Sequence, residues 1–136
     1  MPNLRRDPIR RRAGRVLAGP DAPATARAWL AASLGGRVSS RSLEDLRIIV
    51  SELVSNSVLH AGLDRSDVIR LTVDVTRARI VLSVRDDGCG FRPGRALMPP
   101  SSQTDGRGLG IVSLLSDRLL VDPARGQVTV EVLRAI

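Results

Sequence analysis

The sequence predicts an α+β fold: a two-layer sandwich, mostly antiparallel in its mixed sheet, with the helices on one face. Three observations lead there. Val68 to Thr76 and Arg79 to Arg85 each alternate apolar and polar residues, and the short link of Thr76, Arg77 and Ala78 suits a hairpin. Between about Leu43 and Ala61, the residues Leu43, Leu46, Ile49, Val50, Leu53, Val54 and Val58 recur at spacings of three and four, as on a helix facing a core. Helical and extended stretches are interleaved, and the later strands are joined as hairpins.

In chain order, residues 1–8 read as a loose arm and residues 9–136 as a single domain. Residues 9–17, IRRRAGRVL, fit an edge strand whose arginines discourage further pairing. Gly19 and Pro20 break it. Ala22 to Leu34, rich in alanine, reads as a helix ended by Gly35 and Gly36. Ser42 with Asp45 resembles a capping box for the long helix, and Gly62 stands where a C-terminal glycine belongs. After the hairpin, residues 92–105 have the Pro, Gly and Ser content of a loop. A helix from about Leu109 to Ser116, a strand from Arg118 to Val121 and a last strand from Gln127 to Leu133 complete the order.

Composition narrows the function. The chain has 136 residues and a net charge of +7, and all its cationic residues are arginine. Trp29 and Phe91 are its only aromatic residues, so the core is aliphatic and nothing is placed to stack on bases. No recognition motif for nucleic acid is present, and none is expected to bind directly. A single Cys89 and a single His60 exclude an internal disulfide and a structural zinc site made by this chain alone. No apolar run approaches the roughly 20 residues of a membrane span, and the N-terminal sequence is not that of a signal peptide. The expectation is a cytoplasmic protein without a membrane partner.

Three groups of residues carry chemistry. Glu52, Asn56 and His60 follow one another at i, i+4 and i+8, which stacks them in one row on a helix. A carboxylate and an amide oxygen in a row suit a hard cation such as Mg2+ or a water; the bland alternative is a solvated polar stripe. Asp86-Asp87-Gly88-Cys89-Gly90 ends a strand. Glycines there admit a flat ligand, and a carboxylate can accept from an exocyclic amine; the same residues also suit a plain turn. Gly106-Arg107-Gly108-Leu109-Gly110 precedes a helix, where freed N–H groups favour phosphate and Arg107 adds charge, or where the chain simply hinges.

Taken in order, Glu-x-x-x-Asn, Asp-x-Gly-x-Gly and Gly-x-Gly-x-Gly resemble the ATP-binding (Bergerat-type, histidine kinase-like ATPase) fold. DNA gyrase, histidine kinases, heat-shock chaperones and mismatch-repair ATPases share that fold. Within it the chain is most similar to the small anti-sigma-factor serine kinases, through ELVSNSVLHA, VRDDGCGF and DGRGLGIVSLLSDRL, over about residues 20–133. The resemblance implies ATP and Mg2+ as cofactors. Glu52 matches the catalytic base and Asn56 the magnesium ligand. Asp86 matches the reader of the adenine amine, and Gly88 and Gly90 shape its pocket. Gly106, Gly108 and Gly110, with Arg107 and Leu109 between them, match the phosphate loop, and residues 91–107 match a lid over ATP. His60 falls where this group often has a histidine. Cys89 and a lid bearing Arg92, Arg95 and Arg107 but no lysine depart from the pattern.

The function so implied is a serine/threonine protein kinase and anti-sigma factor. Its partners would be a sigma factor and a small antagonist (anti-anti-sigma) protein, with a homodimer among the assemblies the resemblance allows. Two alternatives stand beside it: an ATP-dependent anti-sigma module without kinase activity, and a detached histidine-kinase ATPase domain. The last needs a phosphoacceptor histidine from a partner, since His60 lies in the nucleotide helix.

Overall fold

Among the described residues, eight elements follow one another: β1 (Arg10–Leu17), α1 (Ala22–Leu34), α2 (Ser40–His60), β2 (Val68–Val75), β3 (Arg79–Asp86), α3 (Gly106–Leu115), β4 (Arg118–Asp122) and β5 (Gln127–Leu133). The computed structural model describes residues 10–60, 63–86 and 106–134. The five strands form one sheet in the order β1-β2-β3-β5-β4, and every pairing is antiparallel. The α+β sandwich read from the sequence is therefore correct, and the sheet is antiparallel throughout its described strands.

Alternation decides the layers. Ile69, Leu71, Val73 and Val75 of β2, Ile80, Leu82 and Val84 of β3, and Val130 and Val132 of β5 are buried on one face. The helices cover that face: α1 lies over β1 and β2, α2 over β3, and α3 against α2 and β4. Leu46, Ile49, Val50, Leu53 and Val54 close the core from α2, and Ala26, Leu30 and Leu34 close it from α1. The periodic apolar stripe of α2 thus faces the sheet centre, which leaves its polar row along the helix flank.

Local chemistry sets the boundaries. α1 begins after Asp21 with a proline in its first turn, where a missing N–H costs nothing. Gly36 follows it at φ 78°, a conformation that glycine adopts without strain. Helix α2 starts at Ser40, three residues earlier than its apolar period predicts. The capping box expected at Ser42 and Asp45 does not form the start; instead Ser39 Oγ accepts from the Ser42 N–H at 3.1 Å. Three serines within four residues, Ser39, Ser40 and Ser42, offer equivalent caps, and the helix extends to the first. α3 likewise starts at Gly106 rather than Leu109, so the glycine cluster forms its first turn instead of a loop before it. The unpartnered first-turn N–H groups, and with them the electropositive end, therefore lie about one turn earlier than expected, on the residues from Gly106 onward.

Side chains fasten the edges. Asp117 Oδ2 accepts from the Leu133 N–H at 2.7 Å, tying the end of α3 to β5. The Arg134 guanidinium donates to the Thr76 carbonyl and, at 2.9 Å, to the Arg37 carbonyl, joining the hairpin turn to the α1–α2 connection.

Gly14 of β1 lies directly beneath Trp29 of α1. A Cβ there would sit 2.3 Å from the indole Nε1. Gly14→Val should lower stability by about 1–3 kcal/mol through this overlap, although valine is the better strand former. Urea unfolding at an unchanged m-value checks the sign.

Candidate functional site

Glu52 and Asn56 lie on consecutive turns of α2, both half-buried on its flank. Their spacing places an acidic oxygen and an amide oxygen on one line of the helix surface. His60 is the last residue of the same helix. Glu52 also borders a cavity of about 700 Å3 between α1 and α2, with Arg27, Asp45, Ile48 and Ser51 in its lining; Asn56 is not in that lining. Arg27 donates to Ser51 Oγ at 2.7 Å. This bond holds a guanidinium of α1 beside the helix position next to Glu52. No sequence signal pairs Arg27 with Ser51, because the two are 24 residues apart and meet only when α1 packs on α2.

Asp86 is the last residue of β3, one position beyond the end that alternation predicts. It pairs with Ile69, its N–H donates to the Gly126 carbonyl at 2.9 Å, and its Oδ1 is shielded from solvent. α2 packs over β3, so the helix with Glu52 and Asn56 and the strand with Asp86 belong to one packed unit. Gly88 and Gly90, with the rest of 87–105 and thus the expected lid, lie outside the described residues.

Gly126, which motif reading missed, packs against Asp86. It turns between β4 and β5 at φ 63°, and a Cβ on it would stand 3.2 Å from the Asp86 carbonyl oxygen and 3.8 Å from its Cγ. Gly126→Ala is expected to cost about 1 kcal/mol of stability and to displace Asp86. A thermal melt reads the first effect, and the affinity for adenine nucleotide reads the second.

Gly106, Arg107, Gly108, Leu109 and Gly110 form the opening of α3, a helix packed on α2. Its first N–H groups give that end a positive character suited to an anion. Among the described residues no group of three His, Cys, Asp or Glu side chains is clustered as a metal cage. The oxygen donors of Glu52 and Asn56 are those of a hard cation that keeps most of its own waters or takes phosphate oxygens instead.

No described helix is long and apolar enough to cross a membrane.

Comparison with known proteins places this arrangement. The chain is 30% identical over 87 residues to an anti-sigma F factor of Clostridium novyi, a match covering 59% of this chain and 61% of the relative. It is 26% identical over 99 residues to an anti-sigma F factor of Clostridium beijerinckii, covering 68% and 69%. The chain thus spans about two thirds of the length of these relatives. A crystal structure of the RsbU and RsbW domains of a Mycobacterium tuberculosis protein superposes with a TM-score of 0.64 over 91% of this chain and 32% of that one. At 18% identity, that likeness establishes the fold. The family model for the histidine kinase-like ATPase domain matches residues 16–132, nearly the whole chain, and the protein belongs to that family.

Proposed function

We propose that the protein binds Mg-ATP and transfers its γ-phosphoryl group to a serine or threonine of a small antagonist protein, and that it also binds and restrains a sigma factor. The observation that carries this reading is the placement of Glu52 and Asn56 one turn apart on α2, which packs over the strand ending in Asp86 and beside the helix opened by Gly106–Gly110. The similarity to anti-sigma F factors supports the choice of partners. We read residues 9–136 as one such domain with residues 1–8 as an arm, acting in the cytoplasm where transcription factors are found.

Bound Mg-ATP would supply the transferable group, and the chain's own residues do the rest by position and charge. Asp86 accepts from the adenine amine. The N–H groups at the start of α3, with Arg107, hold phosphate oxygens. Asn56 offers its amide oxygen to the metal. Glu52 takes the proton of the incoming hydroxyl, which then attacks the phosphorus as the bond to ADP breaks. Glu52 favours a kinase over a nucleotide-dependent clamp without transfer, because a clamp has no use for a base at that place.

Incubation of the full chain with γ-labelled ATP, Mg2+ and the small antagonist protein of the same organism tests this. Label should appear on an antagonist serine or threonine. Label retained wholly in ATP, with sigma binding intact, would leave the clamp.

A further inference from the structure

The two edges of the sheet are unlike. β1 forms one edge and β4 the other. The β1 edge carries the exposed residues Arg11, Arg12 and Arg15, and a second β1 laid along it would bring arginines against arginines. Edge charge of this kind guards a sheet against pairing with another. β4 has no such guard at its centre. Among the described residues it pairs with β5 alone, so its outer row of N–H and C=O groups lacks a second strand. Its middle is Leu119, Leu120 and Val121, with Leu120 49% and Val121 54% exposed.

The sequence of β4, Arg-Leu-Leu-Val-Asp, is complementary to itself when reversed. Antiparallel pairing centred on Leu120 sets Arg118 opposite the partner's Asp122, Leu119 opposite the partner's Val121, and Leu120 opposite the partner's Leu120. Leu119 packs on the core opposite buried Val130. Leu119 and Val121 therefore share the helix side, and Arg118, Leu120 and Asp122 share the open side. The open side gains two ion pairs around a leucine pair, and the helix side gains two leucine–valine pairs. Cross-strand pairs of these types stabilise a sheet. Asp122 also meets Arg125 at 3.6 Å, but that pair is exposed, and a carboxylate has room for a second arginine.

We propose that two copies of the chain join along β4, their two sheets continuing into one. A twofold axis perpendicular to the sheet makes the contact isologous and keeps the helices of both copies on one side. α3, which packs against β4, then lies near α3 of the partner. It exposes Ile111 and, at 84%, Leu114. A strand pair of five residues falls short of the roughly 800 Å2 per partner of a stable interface, and these helix residues add apolar area to it. An extended segment of a different protein would use the same backbone groups but gives no account of the strand's reversal symmetry. None of the residues assigned to nucleotide or transfer takes part, so the proposal stands or falls apart from that reading.

Sedimentation equilibrium of the full chain over a range of concentrations tests it. The unmutated chain should dimerise. Arg118→Asp sets carboxylates against carboxylates at both ends of the pairing, and Asp122→Arg sets guanidiniums against guanidiniums. Each should weaken self-association roughly tenfold or more. The two single variants mixed together should associate nearly as the unmutated chain does, because every swapped residue then meets its opposite. The double variant Arg118→Asp with Asp122→Arg should do so on its own. Melting temperatures near that of the unmutated chain show that the single variants fold. Where one does not, Leu120→Lys, which sets two cations together on the axis, takes its place and should also weaken the dimer. A chain that stays monomeric at every concentration, dimers untouched by the single substitutions, or a mixture no more associated than its components would each overturn the proposal.

Discussion

Glu52→Ala is expected to bind Mg-ATP nearly as the unmutated chain does and to lose phosphoryl transfer by about 10²–10⁴-fold, the usual loss for a general base. Glu52 is half-buried on the flank of α2 and borders the cavity shared with Arg27 and Ser51. A residue that only bound the nucleotide would raise the Kd on removal; a base lowers the rate at saturating ATP. The measurement is single-turnover transfer to the antagonist beside equilibrium binding of ATP. An unchanged rate removes Glu52 from the chemistry.

Asp86→Ala should weaken ATP binding by about 1.5–3 kcal/mol, the range for a hydrogen bond to a charged group, which is roughly 10- to 150-fold in Kd. The carboxylate stands where β3 ends, with its backbone fixed by Gly126 and Oδ1 shielded from solvent. A shielded carboxylate accepts from an amine but repels a carbonyl oxygen at the same point. GTP should therefore bind the unmutated chain far more weakly than ATP, and Asp86→Ala should narrow that difference. Calorimetry with both nucleotides checks it, and equal ATP and GTP affinities in the unmutated chain would remove Asp86 from adenine recognition.

The positions of both residues, on a helix flank and at a strand end, were legible in the sequence because each is set locally. Glu52 and Asn56 share a helix, and the period of Leu46, Ile49, Val50, Leu53 and Val54 fixes which flank they occupy. Asp86 sits at the end of a strand whose alternation is plain. The sheet hairpins were legible for the same reason. The supports were not. Arg27 reaches Ser51 only through packing of α1 on α2, and Gly126 reaches Asp86 only through the pairing of β3 with β5. The cross-strand alignment of Arg15, Arg70 and Arg85 depends on the register of β1, β2 and β3, the first far from the other two in sequence. Alternation assigns a residue to a face, but only the register says what stands beside it. The start of α2 escaped because Ser39, Ser40 and Ser42 are chemically equivalent caps, and in the fold it is Ser39 Oγ that accepts from the Ser42 N–H.

Binding of Mg-ATP is the most direct measure of the whole account. The full chain should melt higher in saturating Mg-ATP, by the stability gained when a ligand binds only the folded state. That gain is about 2.7 kcal/mol at about a hundredfold excess over Kd, or roughly 10 °C for a domain of this size. Titration calorimetry should give a matching saturable heat that chelation of Mg2+ diminishes. A melting temperature unmoved by saturating Mg-ATP, together with no heat of binding, would contradict the account.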